Sequence, residues 1–349
     1  MPPAVTVLMS VYNAMAYLDQ AMASILDQGF TDFEFLVVDD GSSDGSWDRL
    51  EHWAARDRRV RLLRNPTNLG LIRSLNRGLD EARAPFIARQ DADDVSLPQR
   101  LERQMAFLAQ HPEVAVVGSG VTLIDEAGRE LGFNPKPASD RGVRAMMLVR
   151  TAFVHGAVLM RRSVIEGLGL RYDRAMLHTE DYDFLSRLLL AGQGVNLAEP
   201  LLLYRLHGES IGSKYTDIQE DMADRIALAN FARFGLDSLF SPEEIALLRH
   251  GPGRREPLAG RDLLRQYACA CRLLDLLANQ WRLSPGDLDL MRRQLIDVTA
   301  HNLSRQPKAA RRWRLLARVL LSRPGPLLAY LRDKRREKRS NQRSARPAA

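Results

Sequence analysis

Along the first 120 residues, short β-branched runs alternate with amphipathic stretches. Residues 5–9, 33–38, 60–63, 86–88 and 114–118 carry the near-continuous apolar runs of buried strands. Between them, residues 14–28, 46–56, 71–82 and 97–110 repeat apolar positions at helical spacing, with Leu18, Met22, Ile25 and Leu26 on one face of the first. Strands separated by helices of about ten residues fold as right-handed βαβ units on a parallel sheet. Past residue 121 the rhythm changes. Residues 123–131, around Glu126-Ala127-Gly128, read as a hairpin, 140–150 as a helix, 157–161 as a strand, 180–191 as an amphipathic helix and 201–206 as a short strand. From about Ser213 only helical periodicity is left, broken near Gly235, at Gly251-Pro252-Gly253, at Ser284-Pro285-Gly286 and at Pro324-Gly325-Pro326.

Composition narrows this picture. A chain of 349 residues with 45% apolar content subdivides, and its 27% charged content excludes global disorder. Two cysteines, Cys269 and Cys271, exclude a disulfide scaffold and complete no zinc set, which points to a reducing, cytoplasmic setting. The first residues lack the basic region of a signal peptide, and no apolar run approaches the ~20 residues of a membrane span. The net charge of +7 is unevenly spread: residues 305–349 hold 15 Lys and Arg against two acids, while the first 304 hold 35 against 41. The basic residues of this tail flank an apolar set, Trp313, Leu315, Leu316, Val319, Leu320, Leu321, Leu327, Leu328, Tyr330 and Leu331. That pattern suits two short helices in the interface of an anionic membrane, or a helical pair packed on the protein with its arginines in water. The last residues, 340–349, read as disordered. Aromatics are too thin here to favour nucleic acid.

The acids concentrate at strand ends. Asp39-Asp40 follow the second strand and lead through Gly41-Ser42-Ser43 towards Asp44 and Ser46, which are placed to cap the next helix. Asp91-Ala92-Asp93-Asp94 follow the fourth strand; an Asp-x-Asp spacing suits a hard divalent cation that also takes phosphate oxygens. Neither GxGxxG nor a P-loop is present, so no glycine loop cradles phosphates. Glu180, Asp181 and Asp183 open a helix, where the macrodipole alone would favour them. His207 ends the 201–206 strand; a lone histidine of this kind is more often structural than a ligand. His155-Gly156-Ala157 has no chemistry that the pattern explains.

In order, these segments resemble the inverting, GT-A-fold glycosyltransferases of family 2. Residues 5–13 are similar to the family's opening strand and Tyr-Asn turn, residues 68–78 to its Asn-x-Gly helix start, and Asp91-Ala92-Asp93 to its Asp-x-Asp. Glu180-Asp181 resembles the catalytic acid pair and Tyr204-Arg205-Leu206-His207 the closing motif. The resemblance implies an α/β fold, a Rossmann-like, mostly parallel sheet with flanking helices followed by a helical C-terminal region. It divides the chain into a nucleotide-sugar-binding half (1–121), an acceptor-binding and catalytic half (122–212), a helical region (213–304) and the basic amphipathic tail (305–349).

The resemblance also implies roles. Ser10, Tyr12 and Asp40 would line the base pocket, with Asp39 shaping the strand end; Arg73 would approach the diphosphate, and Asp91 and Ala92 the sugar side of the donor. Asp93 and His207 would hold Mn²⁺ or Mg²⁺, Asp181 would be the general base and Glu180 its support. The implied reaction moves a hexose from a nucleotide-diphosphate sugar, UDP before dTDP or GDP, onto a saccharide or lipid-linked acceptor in bacterial surface polysaccharide assembly. The implied place is the cytoplasm or the cytoplasmic face of the inner membrane, reached through residues 305–343, with no nucleic acid partner. A sugar-phosphate nucleotidyltransferase would want a Gly-rich basic loop after the first strand, where this chain has Tyr12-Asn13-Ala14-Met15-Ala16.

Overall fold

A computed structural model describes residues 2–208, 216–251, 256, 258, 260–306, 316–318 and 325–332. The chain divides into two compact units, Met1–Ile226 and Ala227–Ala349. The first is built on one mixed nine-stranded sheet. Its strands are β1 (Val5–Val11), β2 (Phe33–Asp39), β3 (Val60–Arg64), β4 (Phe86–Gln90), β5 (Val95–Ser96), β6 (Val114–Ile124), β7 (Glu130–Asn134), β8 (Leu159–Arg161) and β9 (Gln193–Arg205). Their order is β3-β2-β1-β4-β8-β6-β9-β5, with β7 paired to β6. The block β3-β2-β1-β4 is parallel, as the βαβ rhythm predicts. β8 then enters antiparallel to both β4 and β6, and β6 runs parallel to β9. The parallel run therefore stops where the sequence rhythm changes.

Every residue of β2 and nearly every residue of β1 is buried, because helices cover both faces of these central strands. The covering helices of this unit are α1 (Leu18–Leu26), α2 (Ser46–Arg56), α3 (Leu71–Glu81), α4 (Arg100–Gln110), α5 (Asp140–Met146), α6 (Arg162–Gly167) and α7 (Glu180–Leu188). α1 buries Leu18, Ala21, Met22, Ile25 and Leu26, the stripe its spacing predicts, against Val7, Met9, Phe35 and Val37 of the sheet.

Three departures from the sequence pattern come from contacts with segments distant along the chain. The first helix starts at Leu18 rather than residue 14, because the N–H groups of Asn13, Ala14 and Met15 are taken by Ser42 Oγ, Ser46 Oγ and Asp44 Oδ2. Asp44 and Ser46 thus tie one βα loop to another, and Asp44 Oδ1 also accepts from Ser46 N at the start of α2 at 3.0 Å; the residue before α2, Gly45, in the left-handed region, has no side chain with which to cap it. The fourth helix starts at Arg100 because Val95 and Ser96 pair with Leu203 and Leu202. The short strand expected at 201–206 is the end of the 13-residue β9, whose first half, Gln193 to Pro200, is too polar to read as strand alone.

Downstream lie α8 (Thr216–Arg233), α9 (Pro242–Arg249), α10 (Gly260–Asn279) and α11 (Pro285–Ser304), with Gly235, at φ 74°, just beyond α8. α9 is opened by a capping box, Ser241 with Glu244. Most of the basic tail lies outside the described residues. Of its apolar set, Leu327 and Tyr330 are buried against Tyr267, Cys271 and Ile296, so these two side chains are spent on packing.

Candidate active site

β1 and β2 end side by side, Val11 opposite Asp39. Ser10 is half-buried near the end of β1, and Tyr12, just beyond, is 49% exposed. Asp40 is buried and hydrogen-bonded: Oδ1 accepts from Asn65 Nδ2 (2.7 Å) and Leu69 N (2.9 Å), and Oδ2 from Gly70 N (2.8 Å). Oδ2 thus retains acceptor capacity for one further N–H. Asp39 accepts from Ser42 N at 3.2 Å and pairs with Arg64, while its Oδ1 has no partner. Gly41 between these loops has φ 73°, and a Cβ there would stand 2.6 Å from the Thr67 backbone, so only glycine fits. Arg73 is exposed on the first turn of α3.

The second acidic cluster sits at the end of β4. Asp91 Oδ1 accepts from the buried Arg89 at 2.7 Å, and Ala92 packs against the sheet core. Asp93 Oδ2 and His207 Nε2 are 2.9 Å apart, and the imidazole leans on Tyr17. Asp94 is buried; Oδ1 accepts from Arg205 N, but Oδ2 has no partner. Burial, then repulsion from Asp91, raises the Asp93 carboxyl, opposed by His207. Burial with both neighbouring acids raises Asp94 well above the carboxylate range.

Arg205 ties this loop to its surroundings. It donates to Asp93 O, to Asp125 O and Glu126 O at the β6–β7 hairpin, and to Gln20 of α1, and it lies over the Tyr17 ring. Gly156 closes the cluster from below: a Cβ there would stand 2.9 Å from Asp91 Oδ2 and 3.0 Å from Asp94 Oδ2. That close approach accounts for the His155-Gly156-Ala157 segment.

Glu180 and Asp181 open α7. Burial, then the Asp181 charge, raises Glu180 to about 7; burial raises Asp181 to about 6, opposed by the hydrogen bond from Tyr182 N, with Asp91 pushing it further. Asp183 is instead paired with Arg187, the structural role the helix start allows. Beneath α7, Tyr172 stacks on Phe184 at 4.2 Å, bonds His155 Nε2 through its hydroxyl at 2.9 Å, and through its backbone N–H and C=O bonds the side-chain amide of Asn76 of α3. Burial, then Arg89, lowers His155 to about 3, which keeps it neutral. Lys136, beyond β7, is lowered to about 8 by burial and Arg150 and feels the Asp181 charge.

The structure therefore gathers Asp91, Asp93, His207, Glu180 and Asp181 within one electrostatic neighbourhood, while Asp39 and Asp40 form a separate, hydrogen-bonded one. Sequence reasoning gave no role to Arg89, Arg100, Arg205, Gly156, Tyr172 or Lys136. Arg205 and Gly156 carried a signal, their places inside the Tyr204–His207 and His155–Ala157 segments.

The Asp93–His207 pair offers a hard oxygen beside an imidazole nitrogen, and the orphaned Asp94 Oδ2 and the mutual repulsion of three acids favour an added cation. These residues fit Mn²⁺ or Mg²⁺. Among the described residues, no group of three or more His, Cys, Asp or Glu forms a complete protein cage.

Comparison with known proteins gives a consistent result. Residues 6–169 match the model for glycosyl transferase family 2. The putative glycosyltransferase EpsE of Bacillus subtilis is 39% identical over 210 residues, covering 58% of this chain and 73% of the relative. The O-antigen biosynthesis glycosyltransferase WbnJ of Escherichia coli is 31% identical over 211 residues, covering 59% and 81%. Among solved structures, S. aureus TarS 1–349 in complex with UDP-GlcNAc superposes with a TM-score of 0.54 at 15% identity, covering 86% of this chain and 89% of that one. The mannosyltransferase PcManGT of Pyrobaculum calidifontis, in complex with GDP-Man and Mn²⁺, gives 0.52 at 18% identity, covering 88% and 89%. At these identities the likeness to the solved structures is one of fold.

Proposed function

Because this chain belongs to glycosyl transferase family 2, we propose that it is an inverting hexosyltransferase that uses a nucleotide-diphosphate sugar, UDP before dTDP or GDP. The observation that carries this reading is the pair of buried Glu180 and half-buried Asp181, raised to about 7 and 6, in the same electrostatic neighbourhood as the Asp91–Asp93–His207 cluster. A carboxylate that titrates near 6 is ionised at neutral pH yet basic enough to take a proton from a hydroxyl in the transition state. Asp181 is the base and Glu180 supports it, its charge helping to set the basicity of the pair.

The donor lies between the two acidic clusters. Ser10, Tyr12 and Asp40 line the base pocket over the strand end that Asp39 shapes, with the spare acceptor capacity of Asp40 Oδ2 available to a base N–H. Arg73 approaches the diphosphate, and Asp91 with Ala92 borders the sugar side. Asp93 and His207 would hold the divalent cation, which when bound would offset the charge that the departing diphosphate develops. The acceptor is a saccharide or lipid-linked saccharide, and the setting is bacterial surface polysaccharide assembly; kinship with WbnJ, an O-antigen biosynthesis glycosyltransferase, supports this placement.

No helix among the described residues is long and apolar enough to cross a membrane. We place the enzyme at the cytoplasmic face of the inner membrane, with the basic residues of the tail meeting anionic lipid. Nucleotide release from a panel of sugar nucleotides, with Mn²⁺ or Mg²⁺ and with Asp181→Asn as control, tests the reading. One donor should be turned over in an EDTA-sensitive manner by the wild type and ~10²-fold more slowly by the variant. Equal turnover by both would remove Asp181 from the base role.

A further inference from the structure

Two arginines are buried beneath the donor loop, and they are not equivalent. Arg100 is 0% exposed and surrounded by uncharged acceptors: Gln90 Oε1, Ser96 Oγ, Gln104 Oε1, Arg89 O and Val158 O. Burial lowers it to about 9, and the charges it feels are Asp94, Asp91 and Arg89. Arg100 stitches β4, β5, α4 and the residue before β8 together.

Arg89, 1% exposed on β4, is poorly supplied with hydrogen bonds by comparison. Its Nη2 donates to Asp91 Oδ1 at 2.7 Å, Nη1 reaches Leu8 O at 3.4 Å, and Nε has no partner. A buried guanidinium with one good ion pair costs more than that pair returns, so the fold gains little by keeping it. Its surroundings show what it serves. Its charge favours the anionic forms of Asp94, Glu180 and Asp181, and disfavours protonation of His155. Arg89 thus links the donor loop to the start of α7.

We propose that Arg89 is a positioning residue for glycosyl transfer: from its buried place on β4 its guanidinium fixes Asp91 beside the donor and couples the donor loop to the start of α7. This rests on Asp181 being the base. The groups that face Asp181 are Glu180 on α7, Asp91 and Arg89 at the end of β4, Lys136 beyond β7, Tyr172 from the segment before α7 and Tyr204 on β9. Asp91 and Glu180 oppose its ionisation, and Arg89 acts against them from within the core. A neutral replacement leaves Asp91 and Glu180 to act on Asp181 with less opposition.

The test separates charge from shape in the full-length protein. Arg89→Gln keeps a donor for Asp91 without the charge; Arg89→Lys keeps the charge without the planar fork. Arg100→Lys is a control for disturbing a buried arginine. The Asp181 carboxyl carbon is followed by ¹³C NMR against pH, its signal assigned through Asp181→Asn, and turnover is measured by nucleotide release from the sugar-nucleotide panel. Arg89→Gln should raise the Asp181 midpoint by about one pH unit. Arg89→Lys and Arg100→Lys should leave it near the wild-type value. Arg89→Lys should still lose ~10-fold or more in turnover, because a point charge cannot hold Asp91 as the fork does. An unmoved midpoint in Arg89→Gln, or wild-type turnover in Arg89→Lys, overturns the proposal; the second still decides if Arg89→Gln does not fold. Full turnover by Asp181→Asn would sink the base assignment itself, and with it the role of Arg89, whereas loss there beside an unmoved midpoint leaves the base standing and removes only Arg89.

Discussion

β2 and β4 both end in consecutive acids at the same edge of one parallel block, and the two ends are finished in opposite ways. After β2, Asp40 takes three N–H donors from residues 65–70 and Asp39 takes Ser42 N and Arg64, so both carboxylates are tied into the loop structure, with only Asp39 Oδ1 left without a partner. After β4, three acids crowd within four positions, Asp94 Oδ2 is buried without a partner, and burial with repulsion raises Asp93 and Asp94. The same residue type becomes scaffold where backbone donors converge on it and a cation-seeking site where they do not.

The largest effect expected from breaking this contrast is at Asp93. Asp93→Ala should abolish turnover and Mn²⁺-stimulated donor binding, yet leave the melting temperature equal or higher, because it relieves repulsion on Asp94. EDTA-sensitive activity at the wild-type level would remove Asp93 from the cation site. Asp181→Asn should cut turnover ~10²-fold or more with donor affinity unchanged.

Stability should move the other way in that variant. Raised to about 6 from 3.8 by burial, Asp181 binds its proton more tightly folded than unfolded, so it favours the folded state at low pH. That contribution is lost as pH climbs from about 4 through 6. Asparagine, which cannot ionise, should therefore melt higher than the wild type above pH 6 and at the same temperature near pH 4. The acid limb of kcat/KM in the wild type should fall near pH 6, the Asp181 range; a limb near pH 4 would contradict the raised carboxyl.

At the other strand end the expectation inverts. Asp40→Asn turns an acceptor into a donor facing Gly70 N or Leu69 N, and should cost stability by about 1–3 kcal/mol, read by urea unfolding. A variant of unchanged stability would show that Asp40 is not part of the scaffold. The smallest effects should come from residues around the cation pair. His207→Ala should weaken Mn²⁺-stimulated binding less than Asp93→Ala, and Gly156→Ala, pressing on two carboxylate oxygens, should weaken it by a few-fold with little change in fold.

Much of the fold was legible because its signals are local. The β1–β4 rhythm, the 123–131 hairpin and the breaks near Gly235 and at Ser284-Pro285-Gly286 follow from side-chain periodicity and from Gly and Pro placement, and the structure has them; the breaks expected at 251–253 and 324–326 fall partly outside the described residues. What escaped were pairings between distant segments: β5 exists because Val95 and Ser96 meet β9, and polar residues before Pro200 become strand because β6 lies beside them. Helix α1 was shortened by hydroxyls and a carboxylate some thirty residues away.

The sequence by itself determined the parallel nucleotide-type block, the acidic strand ends, the His207 at the end of a strand and the acid pair at a helix start. Each depends on residue type and spacing within a dozen positions. Tertiary structure alone decided what those acids can do. Asp40 is absorbed because Leu69 and Gly70 turn their N–H groups towards it, Asp181 is raised because burial strips its water, and Gly156 lets two carboxylates settle against backbone. Hydration and the direction of a hydrogen bond belong to the neighbours that folding brings, which can lie more than a hundred residues away along the chain and leave no mark in the local pattern.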